Sequence, residues 1–309
     1  MLSCTIVREL LVDPSHHPRG AAHLSAASSL VRVHDHFYVV ADDELQLGVF
    51  AATNRINLPL DLLPVFAGAM PHDNAARKQA KPDLEALAVL PGAPNWPAGA
   101  LLALGSGSRS TRERGALITV GADGRATGPV EGIDLSALYF PLHARFADLN
   151  IEGAFVACGK LHLLHRGNSA DARNACVCFS WDHTAAWLAG AQVSPPAVLS
   201  VQCISLGMVG GVPLGLTDAA ALPGGAWVFC AVAEDTGSSY HDGSCIGSVV
   251  GVVATDGTVR TLQRLQGAPK VEGIAVQCDA ASLLLSMVTD ADDPDIASQL
   301  LQVRWQHAI

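Results

Sequence analysis

Four carboxylates recur along the chain at nearly even intervals, each in the same local setting. Glu85 lies in Asp83-Leu84-Glu85-Ala86-Leu87-Ala88-Val89, and Glu152 in Asn150-Ile151-Glu152-Gly153-Ala154-Phe155-Val156. Asp218 lies in Leu216-Thr217-Asp218-Ala219-Ala220-Ala221-Leu222, and Glu272 in Lys270-Val271-Glu272-Gly273-Ile274-Ala275-Val276. Ala27-Ser28-Ser29-Leu30-Val31-Arg32-Val33 has the same form, with the hydroxyl of Ser28 in place of the acid. If these side chains converge, the carboxylates repel one another unless they are protonated, paired with bases or bound to a cation. An all-oxygen set suits a hard cation. Calcium accepts about six to eight oxygens at about 2.3–2.6 Å with loose geometry, which makes it the best match. The alternative is that the acids only cap backbone amides of neighbouring strands. A single acid of this kind usually does that, whereas the coincidence of four favours a metal.

The spacing says what brings them together. From Ser28 to Glu85, Glu152, Asp218 and Glu272 the steps are 57, 67, 66 and 54 residues, and a further 65 lead from Glu272 through the termini back to Ser28. A repeat that closes through its own ends is the mark of a ring. After each marked strand comes a second apolar strand (His36–Val40, Ala100–Leu104, Lys160–Leu164, Ala226–Val232, Ser282–Val288). A third follows at Leu45–Ala51, Gly115–Val120, Asn174–Trp181, Ser248–Ala254 and Ser298–Trp305. These runs are rich in Val, Ile and Leu and bounded by Gly, Asp or Asn, which is strand chemistry. Gly121-Ala122-Asp123-Gly124 and Thr255-Asp256-Gly257 read as hairpin turns into a fourth strand. The last repeat ends before its fourth strand, and Cys4–Val12 supplies a spare one. The expected fold is all-β: a single-domain five-bladed β-propeller over residues 1–309, closed by the N-terminal strand. Helical turns are expected only at Asp61–Phe66 and His183–Leu188. The irregular stretches Pro71–Pro82, Pro91–Pro97 and Val193–Val198 are expected at the rim or underside, and Glu234–Gly247 over the mouth.

Composition agrees with one large core. Half of the 309 residues are hydrophobic and 16% are charged. The net charge of −10 argues against nucleic-acid or anionic-membrane partners and is compatible with a cation site. Arg8 and Glu9 interrupt the N-terminal apolar run, so it does not read as a signal peptide. No apolar run reaches the roughly 18 residues of a membrane span, and a cytoplasmic location is expected. None of the eight cysteines forms a Cys-x-x-Cys pair, and Cys176 and Cys178 share one face of a strand. Buried small hydrophobes are the favoured reading over zinc or disulfides.

The residues after each second strand should rise around the channel mouth. Gly105-Ser106-Gly107-Ser108-Arg109 offers amides, hydroxyls and a guanidinium to an anion, with His165-Arg166 facing it. The expected substrate-binding residues are Ser106, Ser108, Asn168, Glu234 and Asp235. Arg109, Arg166, His165 and Asp42 are the catalytic candidates, the arginines neutralising developing charge and His165 moving a proton. A Gly/Ser hairpin with solvated arginines and a plain hydrogen-bonding histidine is the alternative. No GxSxG elbow, HExxH helix or strand-linked GxGxxG occurs. His16-His17 reads as an exposed loop.

The order of the five marked segments resembles that of the calcium-activated nucleotidases, or apyrases, with a looser similarity to the esterase-like phytase propellers of bacteria. Lys270-Val271-Glu272-Gly273-Ile274 is the nearest local match, and Asp218 stands where the nucleotidases have a second serine. Tyr38-Val39-Val40-Ala41-Asp42-Asp43 and Ala233-Glu234-Asp235-Thr236-Gly237 are similar to segments lining the nucleotide site there. The resemblance implies one calcium in the central channel, held by Ser28, Glu85, Glu152, Asp218 and Glu272. The expected function is calcium-dependent hydrolysis of a small phosphorylated or otherwise anionic substrate. A propeller with a structural calcium that binds ligands or proteins is the second expectation.

Overall fold

The computed structural model describes residues 1–53, 58–168, 172–235, 244–279 and 281–306. Five four-stranded antiparallel sheets follow one another round a ring, each with its first strand innermost. Blade one is Ala27–Val33, His36–Ala41, Gln46–Ala51 and Asp61–Pro64. Blade two is Leu84–Leu90, Ala100–Gly105, Arg114–Thr119 and Glu131–Asp134. Blade three is Ile151–Ala157, Lys160–His165, Asn174–Ser180 and Val198–Ile204. Blade four is Gly215–Ala221, Trp227–Asp235, Ser244–Val253 and Val259–Arg264. Blade five is Val271–Cys278, Ser282–Thr289, Gln299–Gln306 and, from the other end of the chain, Thr5–Glu9. The five-bladed propeller expected from the repeat spacing is the observed fold.

The closing strand is shorter than expected and does more. Thr5 pairs with Gln302 and Glu9 with Gln299, and there the ladder ends. The Leu10 amide then donates to the Ser298 carbonyl at 2.8 Å, while the Leu11 carbonyl accepts from Leu60 of blade one at 2.7 Å. At the other end, the Leu2 amide donates to the Arg264 carbonyl of blade four at 2.8 Å. One segment therefore joins three blades.

Apolar side chains fill each gap between neighbouring sheets. Leu10, Leu24, Leu30 and Phe37 meet Val288 and Leu300 between blades one and five. Phe155, Leu164 and Cys176 meet Trp227 and Phe229 between blades three and four. The alternation of the strands therefore reads as two buried faces on each blade.

Asp61–Pro64 is an extended outer strand paired with Gln46–Val49 rather than a helical turn, because the open edge of blade one claims its backbone groups. Trp181–Leu188 is a helix and includes the expected turn at His183–Leu188. Two helices had no signal in the sequence. Asn74–Ala80, inside the Pro71–Pro82 stretch, starts with the Asp73 carboxylate accepting from the Ala76 amide at 2.8 Å. Ser136–His143 buries Leu138, Tyr139 and Leu142. Much of Glu234–Gly247 lies outside the described residues. Among the described residues, no helix is long and apolar enough to cross a membrane.

Every inner strand carries a bulge at the same place. The ladder register shifts across Ser28, Glu85, Glu152, Thr217 and Glu272. A bulge bends the strand and re-aims the side chain it carries. The residue after it lies where inner strands approach closely: a Cβ on Gly273 would come within 2.7 Å of the Leu30 amide nitrogen. That contact accounts for the Glu-Gly pair.

Leu10 is fully buried at the seam between the first and last blades. Leu10→Ala should cost roughly 2–5 kcal/mol in urea unfolding. A loss well below that range would mean the N-terminal segment is not part of the cooperative unit.

Candidate functional site

Ser28, Glu85, Glu152 and Glu272 line one open cavity of about 670 Å³ at the channel mouth. This is within the usual size of a small-ligand site. Asp218 does not join them. The bulge in blade four falls one residue earlier, so Thr217 holds the ring position, with its hydroxyl donating to the Val271 carbonyl at 2.9 Å. Asp218 is turned beneath the mouth and fully buried. One of its oxygens accepts from the Ser29 hydroxyl at 2.9 Å and the amides of Ile274 at 3.0 Å and Leu30 at 3.5 Å. The other accepts from the Ala219 amide at 2.8 Å. The Ser29 hydroxyl in turn accepts from the Leu87 amide at 3.2 Å. The amide-capping alternative holds for this acid. It ties the inner strands of blades one, two, four and five.

Buried cations compensate two of the three ring glutamates. Arg166, at the end of the second strand of blade three, lies 3.5 Å from Glu152 and 3.7 Å from Glu272, and hydrogen-bonds Glu234. Lys270 lies 2.8 Å from Glu234, 3.4 Å from Glu272 and 3.7 Å from Asp290, and also pairs with Asp292. The side-chain Nδ2 of Asn150 donates to Glu152 at 2.5 Å. Burial pushes the carboxyl pKa of Glu152 up against the pull of Arg166. It pushes Glu272 well up against Lys270 and Arg166. Burial lowers the pKa of Arg166 itself, but the surrounding glutamates outweigh it and the guanidinium stays charged.

Glu85 is placed differently. Among the described residues no cationic nitrogen lies within ion-pair distance of it. Burial pushes its pKa well up, and the charges of Asp83, Asp42 and Glu152 add to that. Oxygens of Asp42, Asp83 and Glu85 all lie within 4.8 Å of one another. Lys81 pairs with Asp42 and lies 2.7 Å from Asp83, while Arg112 reaches Asp83 at 2.8 Å. Asp83 adopts a left-handed φ of +56°, a conformation an aspartate tolerates better than most residues.

The other expected residues divide. Arg109 is exposed on the cavity wall, and Asn168 lines it while donating to the Asp148 carbonyl at 3.0 Å. Ser108 lines it too, its hydroxyl accepting from Arg112 at 2.9 Å. Ser106 is buried behind it and donates to Asp83 at 2.5 Å, so it positions an acid and does not face the cavity. Asp42 and Glu234 are on the wall within the ion pairs above. Asp235 is exposed and outside the lining. His165 is fully buried, packed 4.1 Å from the Phe146 ring, and does not line the cavity. His17, expected in an exposed loop, is buried with its ring 3.0 Å from Glu44.

Lys81, Asp83, Arg112 and Lys270 were not among the expected site residues. A signal for two of them is present. Asp83, Asn150 and Lys270 each stand two residues before a ring glutamate, so the recurrence that marks the glutamates marks these positions as well. The helix Asn74–Ala80 brings Arg77 to Asp43 at 2.8 Å, so the Pro71–Pro82 stretch lies on the mouth.

Residues 23–305 match a family of unknown function, DUF6929. The chain belongs to that family. No curated protein matches it. Among solved structures, glutaminyl cyclase of Myxococcus xanthus is 12% identical, with a TM-score of 0.48 over 99% of this chain and 97% of that one. A bifunctional GH43-CE protein of Bacteroides eggerthii is 9% identical, with a TM-score of 0.50 over 98% of this chain and 35% of that one. A member of the duf4221 family from Bacteroides vulgatus is 10% identical, with a TM-score of 0.41 over 99% and 98%. At these identities nothing beyond the fold follows, and of the three only the GH43-CE protein, at a TM-score of 0.50, bears on it.

Two measurements test the charge network of this DUF6929 protein. Arg166→Met leaves Glu152 and Glu272 short of a buried partner and should cost roughly 3–5 kcal/mol at neutral pH. The loss should shrink in acid, where the glutamates take up protons. An equal loss at all pH values would mean Arg166 acts by packing. Burial, with the charges of Asp292 and Asp42, raises the pKa of Asp290 to about 7, against Lys270. A carboxyl with a raised folded-state pKa favours the protonated fold. Its stabilisation is full below its unfolded value of about 3.9 and is lost as pH rises through about 7. Asp290→Asn should therefore flatten part of the fall in unfolding midpoint across that window. An unchanged slope would place the titration elsewhere.

Proposed function

We propose that the protein is a calcium-binding propeller that hydrolyses a small phosphorylated or otherwise anionic substrate at the channel mouth. The observation that carries this reading is the group Asp42, Asp83 and Glu85, with Glu85 lacking a cationic partner among the described residues, on the wall of an open cavity. Oxygens bound to one calcium at about 2.3–2.6 Å lie at most about 5 Å apart, so their spacing fits the ion. The resemblance to calcium-activated nucleotidases supports the same choice of metal, but of the five-residue ring expected from it only Glu85 is kept, with Asp42 and Asp83 taking the place of the other four. Calcium, when bound, supplies Lewis-acid polarisation of a substrate oxygen or a water. The chain's own residues do the remaining work. Arg109 and Arg112 present guanidinium groups to anionic oxygens on the same wall. Burial raises the pKa of Asp42 against the pull of Lys81, and a bound cation would hold it ionised as a ligand. Ser106 and Ser108 hold Asp83 and Arg112 in place.

A second reading, a propeller that binds ligands or proteins without catalysis, is favoured by a different observation. Arg166 and Lys270 already compensate Glu152 and Glu272, so that half of the mouth is stable without metal or substrate. His165, the expected proton carrier, is also walled off from the cavity.

Calcium titration by calorimetry separates the residues. Glu85→Gln should weaken binding at least tenfold. Asp218→Asn should leave it unchanged while lowering stability by on the order of 2–3 kcal/mol, because an amide nitrogen replaces one acceptor oxygen among the buried donors. Equal affinity in wild type and Glu85→Gln would remove the cation site. Phosphate release over a panel of nucleotides and phosphate esters, with calcium or chelator, tests the reaction. Calcium binding with no ester hydrolysed would leave the binding propeller.

A further inference from the structure

The third blade carries a second cluster of metal-ligating side chains, away from the mouth and of different chemistry. His162 and Cys178 face each other directly across the second and third strands, and Cys176 is two residues along on the same face. The Nδ1 atom of His162 lies 3.4 Å from the Cys176 sulfur and 3.3 Å from the Cys178 sulfur. We propose that His162, Cys176 and Cys178 form a zinc site whose fourth position opens to solvent beside Ser200.

Distances argue first. Zinc binds sulfur at about 2.3 Å and imidazole nitrogen at about 2.0–2.1 Å, so the nitrogen-to-sulfur edge of a tetrahedral site is about 3.5 Å. Both edges are close to that length, so the ion enters without backbone movement. All three donor atoms lie within 4.8 Å of one another.

The surroundings prepare the ligands. The Nε2 atom of His162 lies 3.4 Å from the Ala157 carbonyl, which holds a proton on that nitrogen and turns the Nδ1 lone pair toward the sulfurs. Phe155 stacks on the ring at 4.5 Å with an interplanar angle of 6° and fixes its plane. Trp227 of blade four lies 5.6 Å beyond Phe155, so the wall behind the ligands is apolar. The two thiols are buried and His162 is half-buried, while Ser200, opposite Cys178 on the outer strand, is exposed. The cluster is therefore reached from one side only. Three protein ligands with one position left to solvent is the composition of reactive zinc centres, as distinct from closed structural ones. Binding leaves zinc between two thiolates and a neutral imidazole, and the thiol protons still held by the pair pass to solvent.

Donor type separates this site from the mouth. Thiolate and imidazole select zinc, whereas the carboxylates of Asp42, Asp83 and Glu85 suit hard cations. The proposal does not depend on the calcium reading.

Full-length reduced protein, freed of metal, is titrated with zinc against a competing chelator, and with cobalt for spectroscopy. One zinc per chain with sub-micromolar affinity is expected. Cobalt should give thiolate charge-transfer bands and the visible bands of a tetrahedral ion. Cys176→Ser, Cys178→Ser and His162→Gln should each weaken zinc at least a hundredfold, whereas Cys203→Ser and Glu85→Gln should not. His162→Gln alters a half-buried side chain of similar size, and it decides the matter if a buried serine impairs folding. Unchanged affinity in His162→Gln, an octahedral cobalt spectrum or zinc lost with Glu85→Gln would each overturn the site.

Discussion

Asp218 is the polar fastening on which the ring depends. Apolar contacts hold neighbouring blades together side by side, but they leave the sliding of one inner strand past another weakly fixed. A buried carboxylate that accepts from Ser29, Leu30, Ile274 and Ala219 sets those strands at fixed heights. The link from Ser29 to the Leu87 amide adds blade two. Removing one member leaves several donors buried without a partner, which costs more than one hydrogen bond contributes. The charged mouth stands on this floor, so the positions of Glu85 and Glu272 follow from it.

Above the floor the same problem of buried charge is solved in two ways. Around blades three to five, Arg166 and Lys270 come from the chain itself and lie among Glu152, Glu234 and Glu272. Around blades one and two, Lys81 and Arg112 turn toward Asp42 and Asp83 and leave Glu85 without an ion pair, although the charge of Lys81 still draws on it. One half is self-contained, and the other has capacity for a further positive charge.

Much of this was legible in the sequence, because the repeat is carried by residue types that propeller geometry requires. The Glu-Gly pair at Gly273 marks inner strands that pass too close for a Cβ, and the missing fourth strand of the last repeat marks the closure. The register of blade four was not legible. A bulge shifts alternation by one residue, and Leu216-Thr217-Asp218 offers two oxygen-bearing side chains in succession, so only the ladder tells Thr217 from Asp218. The helix Asn74–Ala80 was also hidden, since it depends on Arg77 reaching Asp43 and not on an apolar stripe. Cys176 and Cys178 were visible as a pair, but His162 is brought to them by pairing between strands, which spacing along the chain does not report.

Formal charges sharpen the contrast within the mouth. Asp42, Asp83 and Glu85 carry three negative charges when ionised, and Lys81 and Arg112 return two, both directed at the aspartates. The remaining negative charge is that of Glu85, in a setting where burial and three neighbouring acids oppose it. Two species can relieve it. A proton does so in acid, and its hold weakens as pH rises. A divalent cation would do so at higher pH, drawing on the oxygens of all three acids and competing with Lys81 for Asp42 and Asp83. On the proposed calcium reading, the ammonium would then be a resident counterion that an arriving ion displaces. The same displacement would free a positive side chain at the wall where an anionic substrate enters.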